Sequence, residues 1–461
     1  MKHALTIITL ILICLTHCYA VEYTLEDLYK IALERSEKIK ISAEDLVIAE
    51  NTKDKAMSLL MPRLTAGSSY VRFSDSKVAD NKSYSQPLDR TSFELRLDQS
   101  ASTGGREFTA FRIAKEGIEK SKEDLHSVKE AYMLNVTAAY YDTLRTDKLS
   151  QIAQTNVNRV KKYRDAAATR LKVGEITKTV LLRAEAELSG AQSEQIRTDN
   201  NYKLARAILS RIVGLEGEYR LKEGAQELDI LSKKLNEFIV QGCQTMSIDC
   251  LKEKAISERT DLRASQIQRK IAEDQVNFTR GSYWPILAIE GVFTKRDEIR
   301  DTGGLVKDSA YAGLRLSFPF FEGGLRVAEV QEASAKKRQA DYAYADLKKT
   351  IYVEVETAYL DHITQKGLLK SLTDQHIFAK ENYNSVSKQF DYGLASSLDV
   401  LDANTALLDS ERQLANVIYL YQFSTLRLKR AIGILLNTIL NPTSVLPDKT
   451  SKLSKDSKEK S

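Results

Sequence analysis

Asp399 and Asp402 are the residues whose type and spacing most directly suggest chemistry. Three positions apart on a helix, two carboxylates share one face. The pair makes a patch of negative charge that raises the local cation concentration. The same residues also have a structural reading. Ser396 followed three positions later by Asp399 fits a capping box, and acids near a helix N-terminus complement its dipole. The two readings are compatible, because a capping carboxylate can stay exposed.

Other chemistry is sparse. His126, His362 and His376 stand isolated on helical stretches, without metal-ligand spacing. There is no GxxxxGK phosphate loop and no nucleophile motif, so the expectation is no catalytic residue, no metal and no cofactor. The formal net charge is +5 and 28% of residues are charged, with both signs interspersed. That pattern carries no nucleic-acid footprint.

The first twenty residues read as a secretory signal. Lys2 and His3 precede an apolar run from Ala4 to Leu15, and Cys18-Tyr19-Ala20 ends in small-x-small fashion. No later run is apolar enough for a transmembrane helix. Cleavage after Ala20 leaves Cys243 and Cys250. In an oxidising compartment these two could close a short loop by a disulfide, or stand as unrelated thiols.

The elements that must position Asp399 and Asp402 are long helices. The chain has only six prolines, none between Pro87 and Pro285 or between Pro319 and Pro442. Such stretches, rich in Ala, Leu, Glu, Lys and Gln, suit long helices. The sequence is also one unit written twice. Leu28, Ala32, Ala49-Glu50, Pro62 and Leu64 align with Leu251, Ala255, Ala272-Glu273, Pro285 and Leu287. After one length change at a loop tip, Leu95-Arg96-Leu97, Gly104-Gly105, Ala139-Tyr140, Gly174, Leu188 and Gly214 align with Leu314-Arg315-Leu316, Gly323-Gly324, Ala358-Tyr359, Gly393, Leu407 and Gly433. The expected organisation is a signal over 1–20, a first repeat over 21–220, a linker over 221–245, a second repeat over 246–440, and a solvated, disordered tail over 441–461.

Each repeat reads as helix, hairpin, long helix, return helix. The first helix runs from Thr24 to Leu60, or from Ser247 to Arg280, with Thr24 and Ser247 as N-caps. In the strands that follow, Phe93, Leu95 and Leu97 oppose Glu94, Arg96 and Asp98, and Ala312, Leu314 and Leu316 oppose Gly313, Arg315 and Ser317. Strands of roughly ten residues with this alternation suit a tilted bilayer crossing. Tyr70, Phe73, Tyr283, Trp284, Tyr311, Phe320 and Phe321 cluster near the strand ends as an interfacial girdle would. The long helices, Arg106 to Leu171 and Arg326 to Phe390, would each extend roughly 100 Å. Four strands cannot close a barrel, and an open edge cannot sit in lipid, so the strands require other copies of the chain.

Three features resemble the TolC family of outer-membrane efflux proteins. One is Leu314-Arg-Leu-Ser-Phe-Pro-Phe-Phe-Glu-Gly-Gly324. Another is Tyr392-Gly-Leu-Ala-Ser-Ser-Leu-Asp-Val-Leu-Asp-Ala403. The third is the doubled plan itself. The resemblance implies a mainly α fold with membrane β: long antiparallel helices forming a periplasmic α-barrel, and four strands per chain contributing to a trimeric twelve-stranded outer-membrane β-barrel. It implies a homotrimer in outer-membrane lipid with a periplasmic extension, a periplasmic adaptor and an inner-membrane transporter as partners, and passive export rather than catalysis. It assigns Asp399 and Asp402 to the periplasmic mouth, where three copies would ring one aperture with six carboxylates that favour cation passage and can be blocked by a multivalent cation. It assigns Val173, Gly174, Thr177, Gly393, Leu394 and Ser396 to adaptor-docking tips, and Gly104, Gly105, Gly323 and Gly324 to strand-to-helix turns. The positions that close the mouth in the family fall on Phe390, Ala395, Thr179 and Val180, without the usual arginine and aspartate. Apolar packing of Phe390 and Val180 is the expected replacement. Glu175 stands where family tips often carry an apolar residue. The competing class is a secreted coiled-coil scaffold, which explains the helices but not two matched amphipathic hairpins.

Overall fold

The computed structural model describes residues 21–78, 84–222, 247–299 and 306–440. The expected signal, Cys243 with nearly all of the linker, and the tail lie outside the described residues. In chain order the elements are β1 (Val21–Tyr23), α1 (Leu25–Arg35), α2 (Glu37–Ser58), β2 (Arg63–Arg72), β3 (Lys77–Val78), β4 (Tyr84–Gln86), β5 (Asp89–Ser102), α3 (Arg106–Lys172), α4 (Lys178–Val213) and β6 (Tyr219–Leu221). The second half follows with α5 (Ile248–Glu258), α6 (Thr260–Arg280), β7 (Ile286–Ile299), β8 (Asp308–Ser317), α7 (Leu325–Asp391), α8 (Ser397–Ala431) and α9 (Leu435–Leu440). The two long helices, α3 and α7, have 67 residues each. The chain divides into two compact units: Met1–Lys40 with Val128–Arg259 and Thr350–Ser461, and Ile41–Ser127 with Thr260–Lys349.

The second unit holds an antiparallel sheet in the order β2-β5-β7-β8. Its register puts Leu64, Leu97, Gly291 and Ala312 in one row and Ala66, Leu95, Phe293 and Ala310 in the next. All four strands therefore turn their apolar sets to one face, as the alternation predicts. Leu64, Leu95, Leu97, Ile289, Phe293, Leu314 and Leu316 on that face are exposed. The opposite face is an ion-pair ladder. Arg96 reaches Glu94 at 3.1 Å and Glu290 at 3.6 Å, Arg315 reaches Glu290 at 3.2 Å, and Arg90 bonds Glu298 at 2.6 Å. Where β5 leads to α3, a Cβ on Gly104 would stand 2.8 Å from Trp284 Cδ1 and 2.9 Å from the Gly281 carbonyl oxygen, so only glycine fits the turn.

In the first unit Leu28, Met133, Leu209, Leu251, Ile351, Leu428, Leu435 and Leu436 are fully buried. Its two-stranded sheet pairs β1 with β6 in parallel, Val21 opposite Tyr219 and Tyr23 opposite Leu221. A three-residue strand has no period to read, which is why the sequence did not announce it.

The first helix of each repeat is not continuous. Ser36 separates α1 from α2 at φ −61° and ψ 120°, and Arg259 separates α5 from α6 at φ −67° and ψ 122°. These positions correspond in the repeat, and each meets the glycine that ends a return helix. Arg35 Nη1 donates to the Gly214 carbonyl at 2.8 Å. Gly433 lies so close that a Cβ on it would be 2.9 Å from Arg259 N. Arg259 itself is buried and paired with Glu354. Gly433 also has φ +77°, so Gly433→Ala combines left-handed strain with a backbone clash and should cost about 2–3 kcal/mol. Gly217 has φ +81° in open space, and Gly217→Ala should cost only about 1 kcal/mol. Thermal unfolding followed by circular dichroism compares them; equal shifts would remove the clash from the account.

Candidate functional site at the helix tips

Both helix tips belong to the first unit, and both turn on a glycine. Gly174 has φ +81° and Gly393 has φ +75°, values that favour glycine over any residue with a Cβ. The Glu175 amide donates to the Arg170 carbonyl at 3.0 Å, and the Leu394 amide donates to the Gln389 carbonyl at 2.8 Å. These bonds satisfy carbonyls that the ends of α3 and α7 leave open. Val173, Thr177, Leu394 and Ser396 are all exposed around the two turns.

The tips differ in how the next helix starts. Thr177 makes no side-chain cap on α4; its hydroxyl donates to Thr179 Oγ1 at 3.4 Å instead. Ser396 forms a complete capping box on α8. Asp399 Oδ2 accepts from the Ser396 hydroxyl at 2.7 Å and from the Ser396 amide at 2.8 Å. Bonds from the Ser396 hydroxyl, then from its amide, hold the Asp399 carboxyl below the usual 3.8. Asp399 is thus a capping residue with an exposed carboxylate. Asp402, one turn on, is exposed and outside the cap. In the α3–α4 tip the corresponding positions are Val180 and Arg183.

The sequence did not foresee the clasp between the tips. Phe390 is buried in a cluster with Tyr163, Ala167, Ala184, Val400 and Leu401, with Ala395 packed beside it. Arg170 lies over the Phe390 ring at 4.1 Å from its centroid, and its Nη2 donates to the Phe390 carbonyl at 2.8 Å. A longer bond reaches the Asp391 carbonyl at 3.3 Å. Glu175 stands 3.9 Å from Arg170, so the acid in an apolar position of the tip has a cationic neighbour. Within the chain Phe390 packs among residues of α3, α4 and α8, and half-buried Val180 lies outside this cluster. Farther along, Arg159 makes a bidentate pair with Glu411 at 3.1 and 2.6 Å, and Asn404 donates to Asn156 at 3.0 Å in a buried contact. These rungs tie α3 to α8. An arginine near a helix C-terminus reads as a dipole partner, so nothing in the sequence marked Arg170 as a bridge.

Cys250, at the start of α5, is disulfide-bonded. No group of His, Cys, Asp and Glu among the described residues could hold a metal ion, and no helix among them is long and apolar enough to cross a membrane.

The family model described as outer membrane efflux protein matches residues 28–215 and 251–434. The matches begin at Leu28 and Leu251, two residues that the internal repeat aligns. The outer membrane protein TolC of Vibrio cholerae is 23% identical over 421 residues, covering 89% of this chain and 91% of that protein. The alkaline protease secretion protein AprF of Pseudomonas aeruginosa is 20% identical over 417 residues, covering 89% and 84%. Among solved structures, the Campylobacter jejuni CmeC outer membrane channel superposes with a TM-score of 0.77 at 17% identity, covering 92% of this chain and 90% of that one. The outer membrane protein VceC of Vibrio cholerae gives 0.73 at 17% identity, covering 89% and 96%.

Arg170→Ala removes a ring contact and two hydrogen bonds and should destabilise the clasp by about 1–3 kcal/mol. Hydrogen exchange of residues 386–400 should accelerate while exchange in α5 stays unchanged. Unaltered exchange at 386–400 would mean that Arg170 does not hold the tips.

Proposed function

The chain belongs to the outer membrane efflux protein family, and from that membership we propose that three copies form a passive duct for efflux or secretion, without catalysis. Its place is the outer membrane, as the names of its relatives have it, with its long helices extending into the periplasm. The observation that carries the reading is the sheet β2-β5-β7-β8. One face is apolar and exposed, the other is ionic, and β2 and β8 each have one partner strand in it. A four-stranded sheet of this kind is stable in lipid only when copies pair its edges. Three copies give twelve strands, an even number within the range of closed membrane barrels. Ile196, Leu204 and Ile208 on α4, and Val353, Leu360 and Ile363 on α7, are exposed apolar residues that neighbouring copies would cover. The scaffold alternative leaves both the ionic ladder and the apolar sheet face without a purpose.

In this reading the exposed tips around Gly174 and Gly393 meet a periplasmic adaptor, which links the duct to an inner-membrane transporter. Relatives are named for both efflux and protease secretion, and both cargo classes suit a duct whose selectivity resides elsewhere. Asp402 supplies the ring of carboxylates at the mouth, with Asp399 beside it doing double duty as a cap. The Arg170 clasp keeps each chain's two tips together when the mouth is shut. Cys250 with Cys243 as its partner would fasten the linker to α5.

Planar-bilayer recording tests the mouth. The purified protein should form a small, long-lived, cation-selective pore. Asp402→Asn should reduce cation over anion selectivity by roughly twofold or more, and Asp399→Asn/Asp402→Asn should reduce it further. A pore whose selectivity ignores both substitutions would return the aspartates to capping alone.

A further inference from the structure

Three successive contacts between α7 and α8 lie seven residues apart, the spacing of a coiled-coil seam. On α7 they fall on His362, Leu369 and His376; on antiparallel α8 they fall on Ser424, Val417 and Ser410. The histidines that look isolated in the sequence therefore occupy two layers of one seam. His362 Nδ1 lies 3.4 Å from both Ser424 Oγ and Thr425 Oγ1, and His376 Nδ1 lies 3.4 Å from Ser410 Oγ. Between them Leu369 packs with Leu414 and Val417. His362 is 2% exposed, and its ring stacks on Tyr421; His376 is half-buried.

The hydroxyl protons are already committed. Ser424 donates to the Tyr421 carbonyl and Ser410 to the Leu407 carbonyl, each at 2.7 Å. Each serine oxygen is then left to accept, a role that Nδ1–H of a neutral imidazole suits. A second proton on either ring brings a full charge into the seam. The α3–α4 seam has no such group. Its corresponding residues are Thr143, Ser150 and Val157, which meet the Ala205 carbonyl, Asp199 and Ala191.

We propose that the α7–α8 seam is a proton-operated release, in which protonation of His362 and His376 loosens α8 from α7 at two layers and leaves α3–α4 closed. Deeper burial gives His362 the larger share. Around it stand Lys366 and Asp361 from its own helix and Tyr421 from α8, and Asp361 is held by Arg427 at 3.4 Å. Around His376 stand Lys380 from its own helix, Glu411 from α8 and Arg159 from α3, and the last two pair with each other. Burial pushes both imidazoles below the usual 6.5. The folded seam therefore holds them neutral while the opened seam takes up protons. Stability from this source is complete above pH 6.5 and is lost as pH falls below it.

Hydrogen exchange of the intact protein, corrected for intrinsic rate, tests this at about pH 7.5 and about pH 5.5, within the range where histidine titrates. On acidification, protection over 355–390 and 400–424 should fall roughly tenfold more than over the α3–α4 seam. His362→Gln should remove most of that difference, His362→Gln/His376→Gln all of it, and His126→Gln none. An equal change in both seams, or an acid response that survives the double substitution, would overturn the proposal. Should the double variant fail to fold, the single variants decide in the same way. Bilayer recording supplies a second arm that rests on the channel reading: wild-type openings should become longer at the lower pH. A seam response without any pore would sink the channel reading and leave the seam proposal standing.

Discussion

A peptide group cannot be left unpaired in hydrocarbon, and the rest of this structure depends on that constraint. Four strands from one chain make a sheet with two edges, not a closed surface. Closing it demands copies of the chain, and copies demand apolar helix faces for them to cover. The exposed leucines and isoleucines of α4 and α7, which would be a liability in a monomer, fit that demand. The ionic face of the sheet follows from the same logic. A wall with lipid on one side and water on the other sorts its side chains by strand parity, and the Arg96–Glu290–Arg315 ladder lies on the wet side.

Repetition supplies the frame, and departures from it supply the function. Both repeats break their first helix at one residue, both end the return helix with a left-handed glycine, and both turn at the tip on another. The differences lie at the far ends. Only α8 carries the Ser396–Asp399 box and Asp402, only α7–α8 carries histidine in its seam, and the arginine that clasps the tips comes from α3. Two near-copies of one fold thus differ most at their tips and along their seams.

Much of this was legible in the sequence, because periodic and turn-forming residues leave a local trace. The strand faces followed from alternation, the tips from Gly174 and Gly393, and the cap from Ser396 and Asp399. What was not legible depended on partners far away in the chain. The breaks at Ser36 and Arg259 carry neither proline nor glycine; each lies where Gly214 or Gly433 approaches from far along the chain. Arg170 resembles an ordinary helix-ending arginine until α7 brings Phe390 under it. His362 and His376 do fall on a seven-residue rhythm, but the seam becomes visible only when Ser424 and Ser410 arrive from α8.

The most direct test of the account is the mass of the purified protein in detergent, by light scattering with the detergent contribution subtracted. The full sequence has a mass of 51.9 kDa. The account predicts a single species of three copies that keeps its mass on dilution. A stable, folded monomer under the same conditions would contradict it, because that chain would be holding open strand edges that the bilayer does not permit.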